Sequence, residues 1–369
     1  MDWIDTIVVG GGVIGLAVAA RLARDGAEVV VLEADEAIGF GTTSRSSEVI
    51  HAGLYYPDDS LKTTLCVSGR RQLYDYCEAR HVPHRRIGKL VVATERDQLD
   101  KLSALFDRGL SNGVDDLRML ADAEVRALEP ELRFAGAFTS PSTGIIDSHA
   151  LVTSLAADLE SRGGLIVCHA PVVGLEQARD GFTVSVGGAE PLRLGANRIV
   201  NAAGLGAMDL AGSGPGLGSA PVPTLHLAKG NYFGLSGGRV PFQRLIYPMP
   251  VDGGLGVHVT LDLGGQARFG PDVEWISEMD YSVNPDRTAD FIAAIRSYWP
   301  SLPEALLVPA YAGIRPKTSG PGQPASDFEI QGPTLHGVGG LVHLFGIESP
   351  GITASLAIAD RVAAEFGAD

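Results

Sequence analysis

The chain has 369 residues, of which 45% are hydrophobic, and its 44 acidic and 29 basic side chains give a formal net charge of −15. This length favours two intimately joined domains with a large core. The charge argues against nonspecific binding to nucleic acid or to an anionic membrane surface. The three cysteines match neither a metal site nor a C-x-x-C pair, which favours a reduced cytoplasmic interior.

The N-terminus shows no sign of export or of membrane insertion. It carries Asp2 and Asp5 without a basic cluster, so no secretory signal is predicted. The first apolar segment is broken by glycines and is shorter than the ~20 residues of a membrane span. We therefore expect a cytoplasmic protein without an integral membrane segment, and a peripheral position at the inner face of a membrane stays open.

The first residues predict a strand, a turn and a helix that together bind a dinucleotide. Residues 4–9 are mostly apolar, and Gly10, Gly12 and Gly15 follow with the spacing G-x-G-x-x-G before a helical stretch over 16–24. Gly10 permits a sharp turn, Gly12 lets a pyrophosphate approach the backbone, and Gly15 lets the helix pack against the strand. Free N–H groups at the helix start are expected to hold the phosphates.

A second strand, predicted over 28–32, ends at Glu33, which lies 18 residues past Gly15. A carboxylate at this place is expected to accept hydrogen bonds from both ribose hydroxyls. The alternative, a glycine-rich turn in an ordinary α/β protein, does not explain Glu33.

A hydroxyl-rich loop follows at residues 41–47 and contains Thr43, Ser44, Arg45 and Ser46. Such a loop can close over a pyrophosphate from the side opposite the first helix. The alternative is a polar surface turn.

The remaining predicted elements alternate between a layered α/β pattern and a pattern rich in strands. Layered α/β patterns predict helices over 60–81, 97–109, 121–128 and 149–162, the last with Ser148 as its cap, and strands over 87–94, 136–139, 144–147, 165–170, 172–177, 182–186 and 198–201. A β-rich stretch from 222 to 309 predicts strands over 229–235, 245–248 and 255–261 and one helix over 285–299. A strand over 341–345 and a helix over 352–366 close the chain.

The alternation predicts an α/β fold in which a discontinuous Rossmann-like nucleotide-binding domain is interrupted by a β-rich α+β domain. We expect the first domain to comprise residues 1–85, 140–218 and 325–369, and the second 86–139 and 219–324.

Two further segments suit a flat ligand. Ala203 and Gly204 end a strand with small side chains, which admit a flat group or simply pack tightly. Gly351 and Ile352 open the last helix, whose N-terminus favours an anionic partner such as the N1–C2=O edge of a reduced flavin. The alternative there is a turn capped by Ser349.

Together these motifs resemble the FAD-dependent oxidoreductases of the D-amino-acid-oxidase type over nearly the full length. Within that group the chain looks like the L-2-hydroxyglutarate dehydrogenase/oxidase branch. The segments that carry this second resemblance are Ser46-Ser47-Glu48-Val49-Ile50-His51-Ala52-Gly53-Leu54-Tyr55-Tyr56-Pro57, Leu61-Lys62, Gly256-Val257-His258-Val259-Thr260 and Gly313-Ile314-Arg315-Pro316-Lys317.

The resemblance implies FAD as cofactor, with Glu33 at the adenosine ribose, residues 44–46 at the pyrophosphate, Val173 in the strand that lines the adenine, and residues 346–353 beside the isoalloxazine and ribityl chain. The expected cofactor-binding residues are Gly10, Gly12, Val13, Ile14, Gly15, Glu33, Ala34, Thr43, Ser44, Arg45, Ser46, His51, Ala52, Gly53, Val173, Ala203, Gly204, Arg315, Gly346, Ile347, Glu348, Ser349, Pro350, Gly351, Ile352 and Thr353.

The expected catalytic residues are His258, His51, Arg315, Lys317 and Tyr56. His258 is the first candidate for the base and His51 the second, although His51 also suits a flavin hydrogen bond or a covalent flavin anchor, and both suit a structural role. Arg315, in a glycine-flanked loop, is expected to grip a carboxylate bidentately. Lys317 or Lys229 supplies the second cation that a dicarboxylate needs; Tyr247 and Thr260 are weaker candidates.

We therefore expect oxidation of a small anionic 2-hydroxy acid, similar to L-2-hydroxyglutarate, by hydride transfer to flavin N5 while a base takes the hydroxyl proton. The electron acceptor is oxygen, a quinone or a carrier protein. The alternatives are an amine or amino-acid oxidase on the same fold and a non-catalytic FAD-binding redox sensor.

Overall fold

The computed structural model describes residues 2–237, 239–250 and 256–367. Its strands are β1 (Trp3–Val9), β2 (Val29–Leu32), β3 (Val49–Ile50), β4 (His84–Arg85), β5 (Lys89–Ala93), β6 (Arg118–Leu120), β7 (Gly136–Ser140), β8 (Gly144–Ile146), β9 (Leu165–Val167), β10 (Val172–Ala178), β11 (Gly181–Val186), β12 (Leu192–Asn201), β13 (His226–Leu235), β14 (Leu245–Pro248), β15 (Val259–Leu261), β16 (Ala267–Phe269), β17 (Glu274–Ile276), β18 (Leu307–Lys317), β19 (Glu329–Gln331) and β20 (Leu341–Phe345).

The α-helices are α1 (Val13–Arg24), α2 (Leu61–Arg80), α3 (Leu99–Ser111), α4 (Asp122–Leu128), α5 (Ser148–Glu160), α6 (Ala207–Ala211), α7 (Thr288–Tyr298), α8 (Pro333–His336) and α9 (Gly351–Glu365). Within the described part of the chain, none of them combines the length and apolar character that a membrane crossing requires.

In the described part of the chain, the first sheet has eight strands and a parallel centre. Strands β20, β12, β1, β2 and β9 run parallel side by side, β19 pairs with β20, and the β10–β11 hairpin pairs with β12. The central strands are apolar because both faces are covered. Val8 and Val31 pack against α1, α5 and α9 on one face, while Ile7 packs with the hairpin on the other.

Among the described residues the second sheet has nine strands. Eight follow the order β17-β13-β16-β15-β14-β5-β7-β6, and the ninth, β18, pairs with β13 along the full length of β13. Side chains alternate along its strands. Leu90 and Ile246 face α7, whereas Lys89 and Tyr247 point to the opposite face. On that face, Leu245 and Tyr247 belong to one apolar cluster with Val49 and Ile145 of the small β3-β8-β4 sheet. The predicted domain boundaries stay a prediction.

Most predicted elements are confirmed within a few residues, and three need correction. The segment around Arg315 is not a loop, because β18 pairs with β13 from Leu307 to Lys317. Ser148 does not cap α5, because the Asp147 carboxylate accepts the N–H of Ala150 at 2.9 Å. The strand predicted over 255–261 is described only from residue 256 onward, Leu255 lying outside the described residues, and it begins at Val259.

Candidate functional site

The turn between β1 and α1 is built from backbone groups that come too close for side chains. A Cβ atom on Gly10, where φ is +107°, would lie 2.5 Å from the carbonyl oxygen of Ala202. A Cβ atom on Gly15 would lie 1.9 Å from the carbonyl oxygen of Gly10. Gly12 occupies the N-cap of α1 and provides no side-chain cap, so N–H groups of the first turn face the cavity with their positive dipole end.

The loop at residues 41–47 lies between α1 and β18. The Thr43 hydroxyl accepts the N–H of Val13 at 3.1 Å. Arg45 donates to the carbonyl of Ala312 at 3.3 Å, and its guanidinium stacks 4.1 Å above the ring of Tyr281. The loop therefore bridges the two sheets beside the glycine turn.

Glu33 ends β2 with both carboxylate oxygens engaged by backbone. One oxygen accepts the N–H of Gly11 at 2.5 Å and the other accepts the N–H of Asp35 at 2.8 Å. These bonds fix the carboxylate at the cavity wall and hold the glycine turn in place. A carboxylate oxygen has more than one lone pair, so the predicted contact with a ribose stays chemically open. The role of Glu33 in the turn itself was missed in the sequence.

One cavity of about 1880 Å³ runs from the glycine turn, past the 41–47 loop and the start of α9, to the second sheet. Most of the sequence-predicted site residues line it: Gly10, Gly12, Val13, Ile14, Glu33, Ala34, Thr43, Arg45, Ser46, His51, Tyr56, Ala203, Gly204, His258, Arg315, Lys317, Ile347, Glu348, Ser349, Pro350, Gly351 and Ile352. The others are Gly15, Ser44, Ala52, Gly53, Val173, Gly346 and Thr353, which lie outside the lining.

The residues outside the lining have other contacts. The Ser44 hydroxyl donates to the carbonyl of Phe40 at 2.9 Å and is exposed. Val173 is 63% exposed, while its neighbours Pro171 and Val172 line the cavity. The Thr353 hydroxyl accepts the N–H of His51 at 3.0 Å and so ties the start of α9 to the chain beyond β3.

Ser349 does not cap α9 as the sequence suggested. Pro350 occupies the N-cap without a side-chain bond, and the Ser349 hydroxyl lies 3.3 Å from Nε2 of His51. The alternative, a turn capped by Ser349, is therefore wrong.

The two candidate histidines face the cavity and are both buried. His51 has no partner for Nδ1 among the described residues. His258 contacts the Gly256 carbonyl through Nδ1 at 3.2 Å, which leaves Nε2 as the acceptor if Nδ1 carries the proton. Burial, then the nearby charges of Lys89 and Arg315, lower the pKa of His258 to about 3. Burial, then Lys89, lower the pKa of His51 well below its ordinary value.

His258 belongs to an aromatic stack. Its ring lies 3.8 Å from the ring of Tyr247 at an angle of 19°, and Lys89 lies 3.9 Å from the centre of the same Tyr247 ring. Tyr55 stacks on Tyr247 at 6.4 Å. The hydroxyls of Tyr55 and Tyr247 are buried without a hydrogen-bond partner among the described residues. Unsatisfied polar groups beside a cavity mark a place where a ligand supplies the partners.

Arg315 lies on β18 rather than in a loop, and its guanidinium is held by backbone. Nε donates to the carbonyl of Ala228, and Nη2 donates to the carbonyls of Lys229 and Asp272, the latter at 2.6 Å. Arg315 has no ion pair among the described residues. Its Nη1 has no partner among the described residues, and the predicted bidentate contact with a carboxylate stays a prediction.

Lys317 shares the carboxylate of Glu348 with Lys62, a residue that sequence analysis did not place in the site. Lys317 and Lys62 lie 2.7 Å and 3.0 Å from the same oxygen of Glu348. Burial raises the pKa of Glu348, but the two lysines and Arg315 outweigh it and hold this pKa below its ordinary value. Two cations against one anion leave one excess positive charge beside Arg315.

Lys229 does not contribute a second cation to the cavity. It lies outside the lining and pairs with Asp280 at 2.9 Å and Glu274 at 3.3 Å. Sequence reasoning missed two basic residues: Lys62, which lines the cavity, and Lys89, which contacts the ring of Tyr247 but lies outside the lining. The available signals were the Leu61-Lys62 pair and a single lysine at the start of the apolar strand over 87–94.

The cavity suits an elongated dinucleotide carrying a flat ring. At one end, backbone N–H groups at the start of α1 offer donors to phosphates. The start of α9 lines the middle, and a wall with unpartnered polar atoms on His51, Tyr55 and Tyr247 lies at the other end. The residues present thus fit FAD with a small substrate beside it.

Comparisons with known proteins agree with this geometry. The family model described as FAD dependent oxidoreductase (DAO) matches residues 5–365. The mitochondrial L-2-hydroxyglutarate dehydrogenase of Arabidopsis thaliana is 46% identical over 98% of this chain and 83% of that protein. The L-2-hydroxyglutarate dehydrogenase of Escherichia coli (strain K12) is 31% identical over 72% of this chain and 63% of that protein. Dithionite-reduced L-alpha-glycerophosphate oxidase from Mycoplasma pneumoniae with FAD bound superposes with a TM-score of 0.89, at 24% identity, covering 100% of this chain and 96% of that one.

Proposed function

The chain belongs to the DAO family of FAD-dependent oxidoreductases, and on that premise we propose that it oxidises L-2-hydroxyglutarate to 2-oxoglutarate. The predicted fold class, the FAD cofactor and the oxidoreductase class are confirmed by this membership and by the shared fold. The substrate follows from the name of the Arabidopsis relative and from the charges in the cavity.

The observation that carries the proposal is the row of cations on β18. Arg315 and Lys317 are two residues apart on one strand, so they share a face and lie roughly 7 Å apart along it. Both line the cavity, and the shared carboxylate of Glu348 leaves net positive charge there. A five-carbon substrate with a carboxylate at each end matches two separated cations.

Arg315 suits the α-carboxylate. The backbone carbonyls that hold Nε and Nη2 fix the guanidinium plane, so Nη1 meets the substrate without a loss of side-chain freedom. Lys317 then contacts the distal carboxylate of the substrate, which partly replaces the ion pair of Lys317 with Glu348.

His258 is the proposed base, with His51 next to it as the second candidate. A neutral alcohol is a poor hydride donor, so its hydroxyl proton must leave with the help of a base. Both histidines are neutral at pH 7, because burial lowers both pKa values. A dianionic substrate raises these pKa values again, since nearby negative charge favours the protonated imidazole.

FAD, when bound, supplies the two-electron acceptor for the α-hydrogen. The glycine turn, the 41–47 loop and the start of α9 are the parts of this chain proposed to hold it, with the residues given above. Tyr55, Tyr56 and Tyr247 line this end of the cavity; their rings exclude water from the reacting atoms, and the hydroxyls of Tyr55 and Tyr247 offer hydrogen bonds to a ligand.

The test is anaerobic mixing of the yellow holoenzyme with L-2-hydroxyglutarate in a stopped-flow spectrometer. Bleaching of the flavin band is expected with this substrate and not with L-glutamate, which differs in carrying an amine. Faster bleaching by L-glutamate or another amino acid would favour an amino-acid oxidase. A third arm with L-2-hydroxybutyrate, which lacks the distal carboxylate, measures the contribution of the second cation.

The cellular compartment is proposed from fewer observations than the reaction. The three free cysteines agree with a reducing compartment such as the cytoplasm, while the Arabidopsis relative is mitochondrial by name. A peripheral position at the inner face of a membrane stays open. Oxygen, a quinone or a carrier protein as electron acceptor stays a prediction.

A further inference from the structure

Lys89 is a buried cation with an unusual set of neighbours. It is 1% exposed. The other buried lysines, Lys62 and Lys229, form ion pairs with carboxylates. Among the described residues Lys89 instead has two ring contacts, to Tyr247 at 3.9 Å and to Tyr55 at 5.2 Å. A buried charge without a carboxylate is costly, so this lysine is a candidate for a functional role.

The sheet places Lys89 and His258 on opposite sides of one ring. Strand β14 lies between β15 and β5, with Ile246 opposite Val259 and Leu245 opposite Lys89. The ring of Tyr247 therefore has His258 on one side, at 3.8 Å, and Lys89 on the other. The distance across this stack is short enough for a charge on Lys89 to act on His258.

The surrounding elements contribute no carboxylate to the stack within the described residues. The titratable or charged groups that face it are His51, Tyr55 and Tyr56 after β3, Cys66 on α2, Tyr232 on β13 and Arg315 on β18. The tyrosines and the cysteine are neutral, because burial raises the pKa of each. The field at His258 therefore comes from Lys89 and Arg315.

We propose that Lys89 is a positioning residue whose buried charge, across the Tyr247 ring from His258, further opposes protonation of His258 and attracts the anionic substrate. This inference rests on the proposed function and deepens it. Burial lowers the pKa of Lys89 to about 7, far above the value of about 3 for His258. As the pH falls, the first proton therefore enters on Lys89, and the base stays free.

The first test compares pH profiles of kcat/KM for L-2-hydroxyglutarate in the wild type, Lys89→Met and Lys89→Arg. Lys89→Met removes the charge, so the pKa of His258 rises and the acid limb moves upward by about one pH unit or more. KM at pH 7 rises roughly tenfold or more while kcat changes less. Lys101→Met, which removes a charge from the exposed face of α3, serves as the control. An acid limb that stays in place in Lys89→Met overturns the proposal.

Lys89→Arg keeps the charge at every pH. In the wild type KM should increase as the pH passes 7 to 8, because Lys89 loses its proton there; in Lys89→Arg this increase should disappear. This variant also serves if Lys89→Met does not fold. Persistence of the alkaline increase in Lys89→Arg overturns the proposal.

The second test needs no substrate. The holoenzyme labelled with [15N]histidine is titrated by NMR, and His258→Gln identifies the His258 signal. The pKa of His258 should rise in Lys89→Met and stay unchanged in Lys101→Met; an unchanged value in Lys89→Met contradicts the inference. Failure of L-2-hydroxyglutarate to bleach the wild-type flavin contradicts the proposed function alone, so the two failures are distinguishable.

Thermal unfolding separates this role from simple packing. Methionine fills the same volume without the buried charge, so the Tm of Lys89→Met at pH 7 should equal or exceed that of the wild type by a few °C. A stable variant with a displaced pH profile supports the proposal. A lower Tm together with an unmoved pH profile shows a packing role only and overturns it.

Discussion

On the side of the first sheet, the cavity wall consists mainly of backbone: the turn at Gly10, the open N–H groups of α1 and the carbonyl of Ala202. On the side of the second sheet, the wall consists of side chains: the histidine–tyrosine–lysine stack and the guanidinium of Arg315. The backbone wall leaves no room for substitution, because an added Cβ collides with fixed atoms. The side-chain wall accepts other residues but depends on where charges lie. The proposed cofactor site is thus formed mainly by backbone groups, whereas the proposed substrate site is formed by side chains.

The strongest test of the backbone wall is Gly15→Ala. The added Cβ would lie 1.9 Å from the Gly10 carbonyl oxygen, so α1 must move away from the turn. We expect nearly complete loss of bound FAD, measured as the ratio of flavin absorbance to protein absorbance after purification. Gly339→Ala, an exposed glycine with no heavy atom within 4 Å of the new Cβ, is the control. A Gly15→Ala protein with full cofactor content would show that the turn is less rigid than described.

The largest effect expected on the side-chain wall is that of His258→Ala. Removal of the base should slow flavin reduction by roughly 10²–10⁴-fold while FAD stays bound. Rapid-mixing measurement of the reduction rate, with His51→Ala measured in parallel, checks this. If His51→Ala is slowed and His258→Ala is nearly normal, the two histidines exchange roles and the base is His51.

Arg315→Ala should act on binding more than on the chemical step. Loss of Nη1 removes a charge-assisted contact to the α-carboxylate, and we expect KM to rise about 100-fold, or about 3 kcal/mol. Steady-state kinetics with the purified holoenzyme gives the split between KM and kcat. An unchanged KM would remove Arg315 from substrate binding.

Lys317→Met should show the smallest effect of the four. Lys62 stays beside Glu348, so the local charge falls from excess positive to balanced. The preference for L-2-hydroxyglutarate over L-2-hydroxybutyrate, as a ratio of kcat/KM values, should drop about tenfold, which is about 1.4 kcal/mol. Lys101→Met again controls for net charge. If the ratio holds, the distal carboxylate binds elsewhere.

The same contrast explains what could be predicted from sequence. The glycine turn, Glu33 and the helices α1 and α9 are encoded by local patterns, so their places followed from spacing alone. Strand β18 was missed because Pro309, Gly313 and Pro316 are turn signals, and only pairing with the distant β13 overrides them.

The cavity wall on the side of the second sheet was harder to predict from the sequence, because it depends on the register between strands that are far apart in the chain. No sequence pattern near Lys89 indicates that Tyr247 or His258 lies beside it. The three side chains come together because β5 and β15 flank β14. Arg315 was identified, but the carbonyls that occupy its Nε and Nη2 come from β13 and from the segment after β16. Such contacts have no local signature.

The 41–47 loop has one more consequence. It is fastened to α1 through Thr43 and to β18 through Arg45 and through Thr42, whose hydroxyl donates to the Ile314 carbonyl at 3.4 Å. A cofactor held beneath this loop would therefore contact a segment that is bonded to both parts of the fold. By mass action the folded population rises with the concentration of free FAD. In the cell, the supply of FAD would therefore affect how long each newly made copy of the protein survives proteolysis, as well as how fast it works.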